Sequence, residues 1–536
     1  MNHAFTTSRR DHRTRDTISR RARRLGTVLV LLLVAGLALP VLAERRVDRE
    51  ILVELIPGAD PDAVAQRYGC TVIDGIPQWL LYILLAPEGA DVDQLVAQMN
   101  DPAETDIVSA EPHREFENPE GGQRTIGELD RNATIGDFRN QPALGTVNAN
   151  GAQQQYTGRG VVVAVLDTGQ TTQHPATSER IMKHSGADLA QGNGSVGVQP
   201  NAVDDDGDGD VDEMLEHGSM VTGMVNAAAP GARILPIRVL DSEGWGRGFW
   251  VAKGILHAIS RGADVINLSL GMLEKSNFIS KAINEARKQG VVVVAAAGNR
   301  NIGTPDYPAD DSKVVSVAAV DDAKLRAPFT SYGSEIDLTA PGVQVLSTYG
   351  ADGYARWDGT SFAAPMTAGA VALLLERYPG LKPDEVRDLL AATAQPDANG
   401  PEWSDLLGAG TLDVAALVTV VTGDRTSLKL SEQPGGTVVR WSPVDGATVY
   451  DLARGDVANL RHVGLTDIDL GPVTCLRDDT TTLDTLANPD PTLPAPGQAF
   501  FYVFRDDTSE SGGLAYGQGS DSRYRTASGG DCNPPL

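Results

Sequence analysis

Apolar positions in this chain come in more than one texture. From residue 160 they gather into short continuous runs at 161–166, 234–240, 265–268, 291–297 and 314–320. Stretches with helical spacing lie between several of them, at 248–261 and 280–289, and two further helices are expected at 360–377 and 383–393. Strands apolar on both faces, separated by helices, predict an α/β fold with a parallel sheet covered on both sides. After residue 425 the runs shorten and alternate, at 437–441, 448–452 and 500–504, between Gly, Pro, Asp and Thr. That texture predicts a small all-β module of fibronectin-like kind.

Ahead of the parallel-sheet pattern, residues 50–115 read as a small α/β unit, with strands at 51–55 and 79–85 and helices at 61–68 and 91–99. Residues 116–150 are rich in Gly, Asn, Gln and Glu and lack periodicity, as a linker or processing region would. The expected boundaries are therefore 1–43, 44–115, 116–150, 151–421 and 426–536.

The first of these is an export signal in outline. Eight Arg in the first 24 residues precede the apolar run 25–42, and Val41, Leu42 and Ala43 offer a small-residue cleavage site. The alternative is an uncleaved anchor, since 18 apolar residues nearly span a bilayer. A cleaved signal predicts a chain secreted to the periplasm or the medium, with no membrane contact afterwards. The whole chain has 536 residues and a formal charge of -26. Without its first 43 residues the balance is about -32, which disfavours phosphate backbones and anionic membranes, so nucleic acid is not an expected partner. None of the three cysteines has metal-ligand spacing; Cys475 and Cys532 could close one disulfide in an oxidising compartment, leaving Cys70 alone.

Three segments inside the α/β region carry chemistry. Asp167 closes the run 161–166, at the carboxyl end of a buried strand, where open sheets place their sites. His217 opens a helix of small residues, and Ser361 stands in Gly359-Thr360-Ser361-Phe362-Ala363, where a turn enters a helix. Pro365 is expected in the first helical turn, where its missing N–H is harmless. A serine hydroxyl needs a base to take its proton, and the base needs a carboxylate to fix its tautomer. Taken singly, each residue is more often a cap or a packing residue; the set of three in this order is what points to nucleophilic catalysis.

Those blocks, with Ala295-Ala296-Ala297-Gly298-Asn299, resemble the signature blocks of the subtilases, whose order of Asp, His, Ser is that of subtilisin itself. The resemblance spans about residues 140–421. It implies a secreted serine endopeptidase acting on polypeptides, with Asn299 as oxyanion donor and no organic cofactor. It further implies that Ser269, Leu270 and Gly271 form one wall of the primary specificity pocket and Ala296 to Gly298 the other. Gly244, Trp245 and Gly246 would pair with extended substrate, and Asp306 would lie at the pocket base, favouring Lys or Arg. Residues 44–115 resemble the inhibitor-like propeptide of the family, a partner in cis removed by self-cleavage within 115–150. His174 resembles a structural position, and Met220 stands where the family usually has His.

Residues 204–213 read DDDGDGDVDE. Asp204, Asp206 and Asp208, followed by Gly209, match the opening of a calcium loop, with Asp212 as a further candidate ligand. Leu215 stands where the loop's bidentate Glu is expected. A solvated acidic loop is the alternative. Two rival functions remain: a catalytically silent surface or scaffold protein, and a maturation protease of narrow specificity. A monomer is expected.

Overall fold

Strands made of Val, Ile and Ala runs need cover on both faces, and the fold supplies it. The structure is a computed structural model that describes residues 45–120, 128–190, 194–204, 209–396, 398 and 406–419. Between residues 428 and 526 it describes the backbone of nine strands.

The first unit comprises β1 (Arg46–Leu55), α1 (Pro61–Arg67), β2 (Thr71–Ile76), β3 (Leu81–Leu85), α2 (Val92–Met99) and β4 (Ile107–Glu117). Helix α1 starts where Asp60 accepts the Asp62 N–H at 3.0 Å and Pro61 supplies a preset φ. The strands form an antiparallel sheet in the order β2-β3-β1-β4, with Ile51, Val53 and Leu84 in a core of its own.

Next come β5 (Glu128–Leu129) and three short helices, α3 (Ile135–Arg139), α4 (Pro142–Thr146) and α5 (Ala149–Ala152). Residues 128–150, expected within a linker or processing region, are instead folded: Phe138, Leu144 and Val147 are completely buried in the main core. Helices of four or five residues are too short to display a 3.6-residue period. They are set by local devices instead, such as the reciprocal Thr134–Asp137 capping box.

The main sheet and its cover follow: β6 (Val162–Asp167), β7 (Ala187–Asp188), α6 (His217–Ala228), β8 (Arg233–Arg238), β9 (Trp245–Arg247), α7 (Gly248–Ser260) and β10 (Val265–Leu268). Then come α8 (Asn277–Lys288), β11 (Val292–Ala296), β12 (Val315–Val320), β13 (Leu338–Pro341), β14 (Val345–Tyr349), β15 (Gly353–Trp357), α9 (Thr360–Arg377), α10 (Pro383–Thr393) and α11 (Val414–Thr419). Seven strands pair in parallel in the order β13-β12-β11-β10-β6-β8-β7. Alternation along β6 shows how both faces are used. Val163 and Val165 pack with α6 and α9, whereas Val162, Ala164 and Leu166 pack with α7 and α8.

The two units are stitched edge to edge. β4 continues the first sheet onto β9, pairing Glu115 with Arg247, Phe116 with Gly246 and Glu117 with Trp245. Phe116 is fully buried in the α7 and α8 side of the main core. Side chains lock the contact: Glu111 caps α8 by accepting from Ser276 Oγ (2.5 Å) and the Asn277 N–H (2.8 Å). His113 Nε2 accepts the Phe249 N–H at the start of α7 (3.1 Å), so its Nδ1 donates to Glu50 (2.7 Å). Among the described residues no helix is long and apolar enough to cross a membrane. The export signal at 1–43 lies outside the described residues, as do the side chains of Cys475 and Cys532. Beyond residue 428 the described backbone is all strands, in sheets of two, three and four.

Candidate active site

The carboxyl ends of the central strands, with the starts of α6 and α9, converge on one cleft. Asp167 ends β6, His217 is the first residue of α6, and Ser361 is the second of α9. His217 Nδ1 lies 2.8 Å from Asp167 Oδ1, whose own position is fixed by the Thr168 N–H at 2.7 Å. Gly218 lets α6 approach β6 closely, since a Cβ there would stand 2.0 Å from the Gly169 carbonyl oxygen. The imidazole is fully buried and stands edge-on to Trp357, with centroids 5.9 Å apart. Met220, in place of the usual His, is buried in the same core.

Pro365 is not in the first turn of α9 but six residues in, inside the helix. Its missing N–H leaves the Ser361 carbonyl without a helical donor. Ser269 Oγ fills the vacancy, donating to Ser361 O at 2.8 Å. The serine at the start of α9 is thereby tied to the segment that follows β10.

Asn299 lies just past β11 with its amide orientation set. Its Oδ1 accepts from Thr360 N–H (3.0 Å) and Thr360 Oγ1 (2.9 Å), which turns Nδ2 into the cleft. Gly298 has φ +96, and a Cβ there would meet Asp306 Oδ2 at 2.3 Å, so only glycine fits.

Something already occupies the cleft. Past β4 the chain continues in extended form between two edges: Glu117 exchanges hydrogen bonds with Gly271 (3.1 and 2.9 Å), and the Asn118 N–H donates to Gly244 O (3.0 Å). Asn118 Nδ2 donates to Ser269 O (2.9 Å) and stands 3.1 Å from His217 Nδ1. Glu120 then inserts its carboxylate among the reactive groups. Its Oε2 accepts from Ser361 Oγ (2.7 Å) and lies 3.1 Å from His217 Nε2, while Oε1 accepts from Asn299 Nδ2 (2.9 Å). Burial opposes charge on His217, but the Asp167 and Glu120 carboxylates outweigh it and push the imidazole up to about 10. With both carboxylates in place the imidazolium is the favoured form, which holds back the base.

The remaining sequence expectations divide. Gly244, Trp245, Gly246 and Gly271 are brought together around one extended segment, with Ser269 and Leu270 on the same edge. Asp306 is buried between the two glycine walls, where a Cβ on Gly271 would lie 2.8 Å from its Cβ. Burial raises its carboxyl to about 6 against the pull of Arg300. Arg300 is a partner the sequence did not announce: its guanidinium pairs with Asp306 on one side and Glu117 on the other. The charge that was to attract a basic substrate residue is thus taken internally.

Asp206 and Asp208 lie outside the described residues. Asp212 accepts from the Asn201 and Ala202 N–H groups (2.9 and 3.0 Å), and Asp204 from the Gly209 N–H (3.1 Å), so both brace the acidic loop. Beside them, both carboxylate oxygens of Glu213 are buried and have no hydrogen-bond partner among the described residues. Among the described residues no group of three acidic, His or Cys side chains converges as a metal site. His174 is structural: Nε2 donates to Gly353 O (2.9 Å) and Nδ1 accepts the Ala176 N–H (3.2 Å).

Comparisons with known proteins agree with this geometry. Residues 158–410 match the model of the Subtilase family. The chain is 38% identical over 254 residues to Subtilisin DY of Bacillus licheniformis, covering 45% of this chain and 86% of that one. Over 254 residues it is 37% identical to Subtilisin E of Bacillus subtilis (strain 168), covering 45% of this chain and 62% of that one. Among solved structures, fervidolysin from Fervidobacterium pennivorans, described as a keratinolytic enzyme related to subtilisin, superposes with a TM-score of 0.59 at 21% identity. That match covers 90% of this chain and 78% of the other, and speaks to fold alone.

Proposed function

The chain belongs to the subtilase family of serine endopeptidases, and we propose that Asp167, His217 and Ser361 are its catalytic triad and that it is made as a self-inhibited, self-processing zymogen. The observation that carries this reading is the chain's own extended segment seated along the cleft, with Glu120 bonded to Ser361, His217 and Asn299 at once. Once that segment leaves, His217 Nε2 is free to take the Ser361 proton while Asp167 holds Nδ1. Ser361 Oγ attacks the carbonyl carbon of a polypeptide, and the oxygen that gains charge is received by Asn299 Nδ2 and the Ser361 N–H. His217 returns the proton to the departing amine, and water then releases the acyl group by the same steps in reverse.

Residues 44–120 act in this reading as folding aid and inhibitor. Residues up to Glu120 lie in the cleft, while Glu128–Leu129 already pair with β15, and this supports a self-cleavage between Pro119 and Glu128. Secretion follows from the signal-like first 43 residues, and the enzyme works as a monomer. A structural calcium ion at residues 204–213 is supported by Glu213, whose two carboxylate oxygens are buried with no hydrogen-bond partner among the described residues. The test of the triad is covalent labelling with a fluorophosphonate. The processed enzyme should carry one adduct, on Ser361, and the unprocessed chain none. Labelling elsewhere, or none after processing, would remove the proposal.

A further inference from the structure

Arg300 is placed to read substrate charge, although nothing in its family blocks assigns it a role. It follows Asn299 directly, and its guanidinium is largely enclosed, with 17% of its side chain exposed. One side rests on Asp306, buried on the floor between Gly271 and Gly298. The other side reaches the carboxylate of Glu117, which is 22% exposed. Glu117 is not part of the cleft. It belongs to the segment lying in it, paired to Gly271 in both directions and followed by Asn118 beside His217 and Glu120 on Ser361. Counted back from the bond between Pro119 and Glu120, the first bond in the proposed self-cleavage range, Glu117 is the third residue.

We propose that Arg300, held by Asp306, is a specificity determinant that selects polypeptides with Asp or Glu at the third position before the cleaved bond. The segment's own Glu117 is the first example of such a ligand. Two physical points support the assignment. A fixed carboxylate behind the guanidinium removes the cost of ordering a long side chain for each substrate, which a free surface arginine would incur. Its planar fork also offers donors on opposite edges, so Asp306 and an incoming acid can be bonded together. A corollary is that a basic residue entering the pocket meets a neutralised floor, so Lys or Arg next to the cut gains little from Asp306.

The inference rests on the proposed protease activity, and its test separates the two. Mature enzyme from the full chain is given matched peptides that differ only in Glu, Gln or Lys at the third position, with a neutral residue before the cut. Wild type should cleave the Glu peptide about tenfold more efficiently than the Gln peptide, the size of one partly wetted charge-assisted hydrogen bond, with Lys poorest. Arg300→Gln should bring the Glu-to-Gln ratio of kcat/KM close to one, and Arg300→Lys should keep part of it. The ratio is internal to each variant, so a general loss of activity cancels. Cleavage of all three peptides at equal efficiency by wild type, or a ratio unmoved in Arg300→Gln, overturns the inference while leaving the protease reading intact. Failure of wild type to cleave any of them while Ser361 stays unlabelled overturns both.

Discussion

Glu120→Gln separates the latch from the catalyst. The substitution keeps the side chain's size but removes one of the two carboxylates that hold His217 at about 10. At pH 8 an imidazole at about 10 is neutral in only about one molecule in a hundred. If losing Glu120's charge returns His217 halfway to its ordinary value, the neutral fraction rises to about one in three, roughly a thirtyfold gain in available base. The amide also exchanges a strong acceptor for a weaker one opposite Ser361 Oγ and Asn299 Nδ2, which loosens the segment further. The assay is the first-order loss of the N-terminal segment, followed by gel and N-terminal sequencing from pH 6 to 10. The sign is fixed by the raised value: the imidazolium contact is fully present below the ordinary histidine range and lost as pH rises towards about 10. Wild-type processing should therefore still be accelerating at pH 9, whereas Glu120→Gln should be about thirtyfold faster at pH 8 and level off earlier. A Gln variant that processes no faster than wild type, with the same pH profile, would refute the latch.

Further outcomes follow from the same geometry. Asn299→Ala removes one oxyanion donor, a loss that costs about a hundred- to a thousandfold in kcat where it has been measured, subtilisin included, with little effect on KM; a loss under tenfold would assign the oxyanion elsewhere. His113 is buried and held below its ordinary value, chiefly by burial, with Glu50, Arg247 and Glu115 around it. Because the docked segment keeps it neutral, docking should be intact above about pH 6.5 and weaken as pH falls below that. The slope should flatten in His113→Gln when release of the cleaved segment is followed by size-exclusion chromatography. Calcium at millimolar concentration should raise the Tm of wild type by several degrees and that of Glu213→Gln by less; equal shifts would place any calcium away from residues 204–213.

Much of this was legible in the sequence, and the parts that were not share a cause. Continuous runs such as 265–268 and 291–297 became β10 and β11 because a strand buried on both faces has to be apolar throughout. The blocks around Asp167, His217, Asn299 and Ser361 were readable because each combines a reactive side chain with the small residues that close backbone approach demands. The helices at 135–152 were missed because they are single turns fixed by caps and by Phe138, Leu144 and Val147 meeting the distant core. β13 has only four residues, one of them Pro341, and resembles a loop until it pairs with β12. Glu120 and Arg300 were invisible for a different reason. Their meaning lies in contacts across 241 and 183 residues, and neither position has a local pattern. Pro365 shows the opposite case, a local rule applied one turn too early, with Ser269 supplying the missing donor.

The most direct test is to express wild type and Ser361→Ala side by side and follow chain length and casein hydrolysis. The account predicts that wild type sheds the segment ending between Pro119 and Glu128 and digests casein, while the variant stays full length and inert. Identical processing and identical casein hydrolysis by two folded proteins would contradict it, because the bond-breaking serine would then not be Ser361.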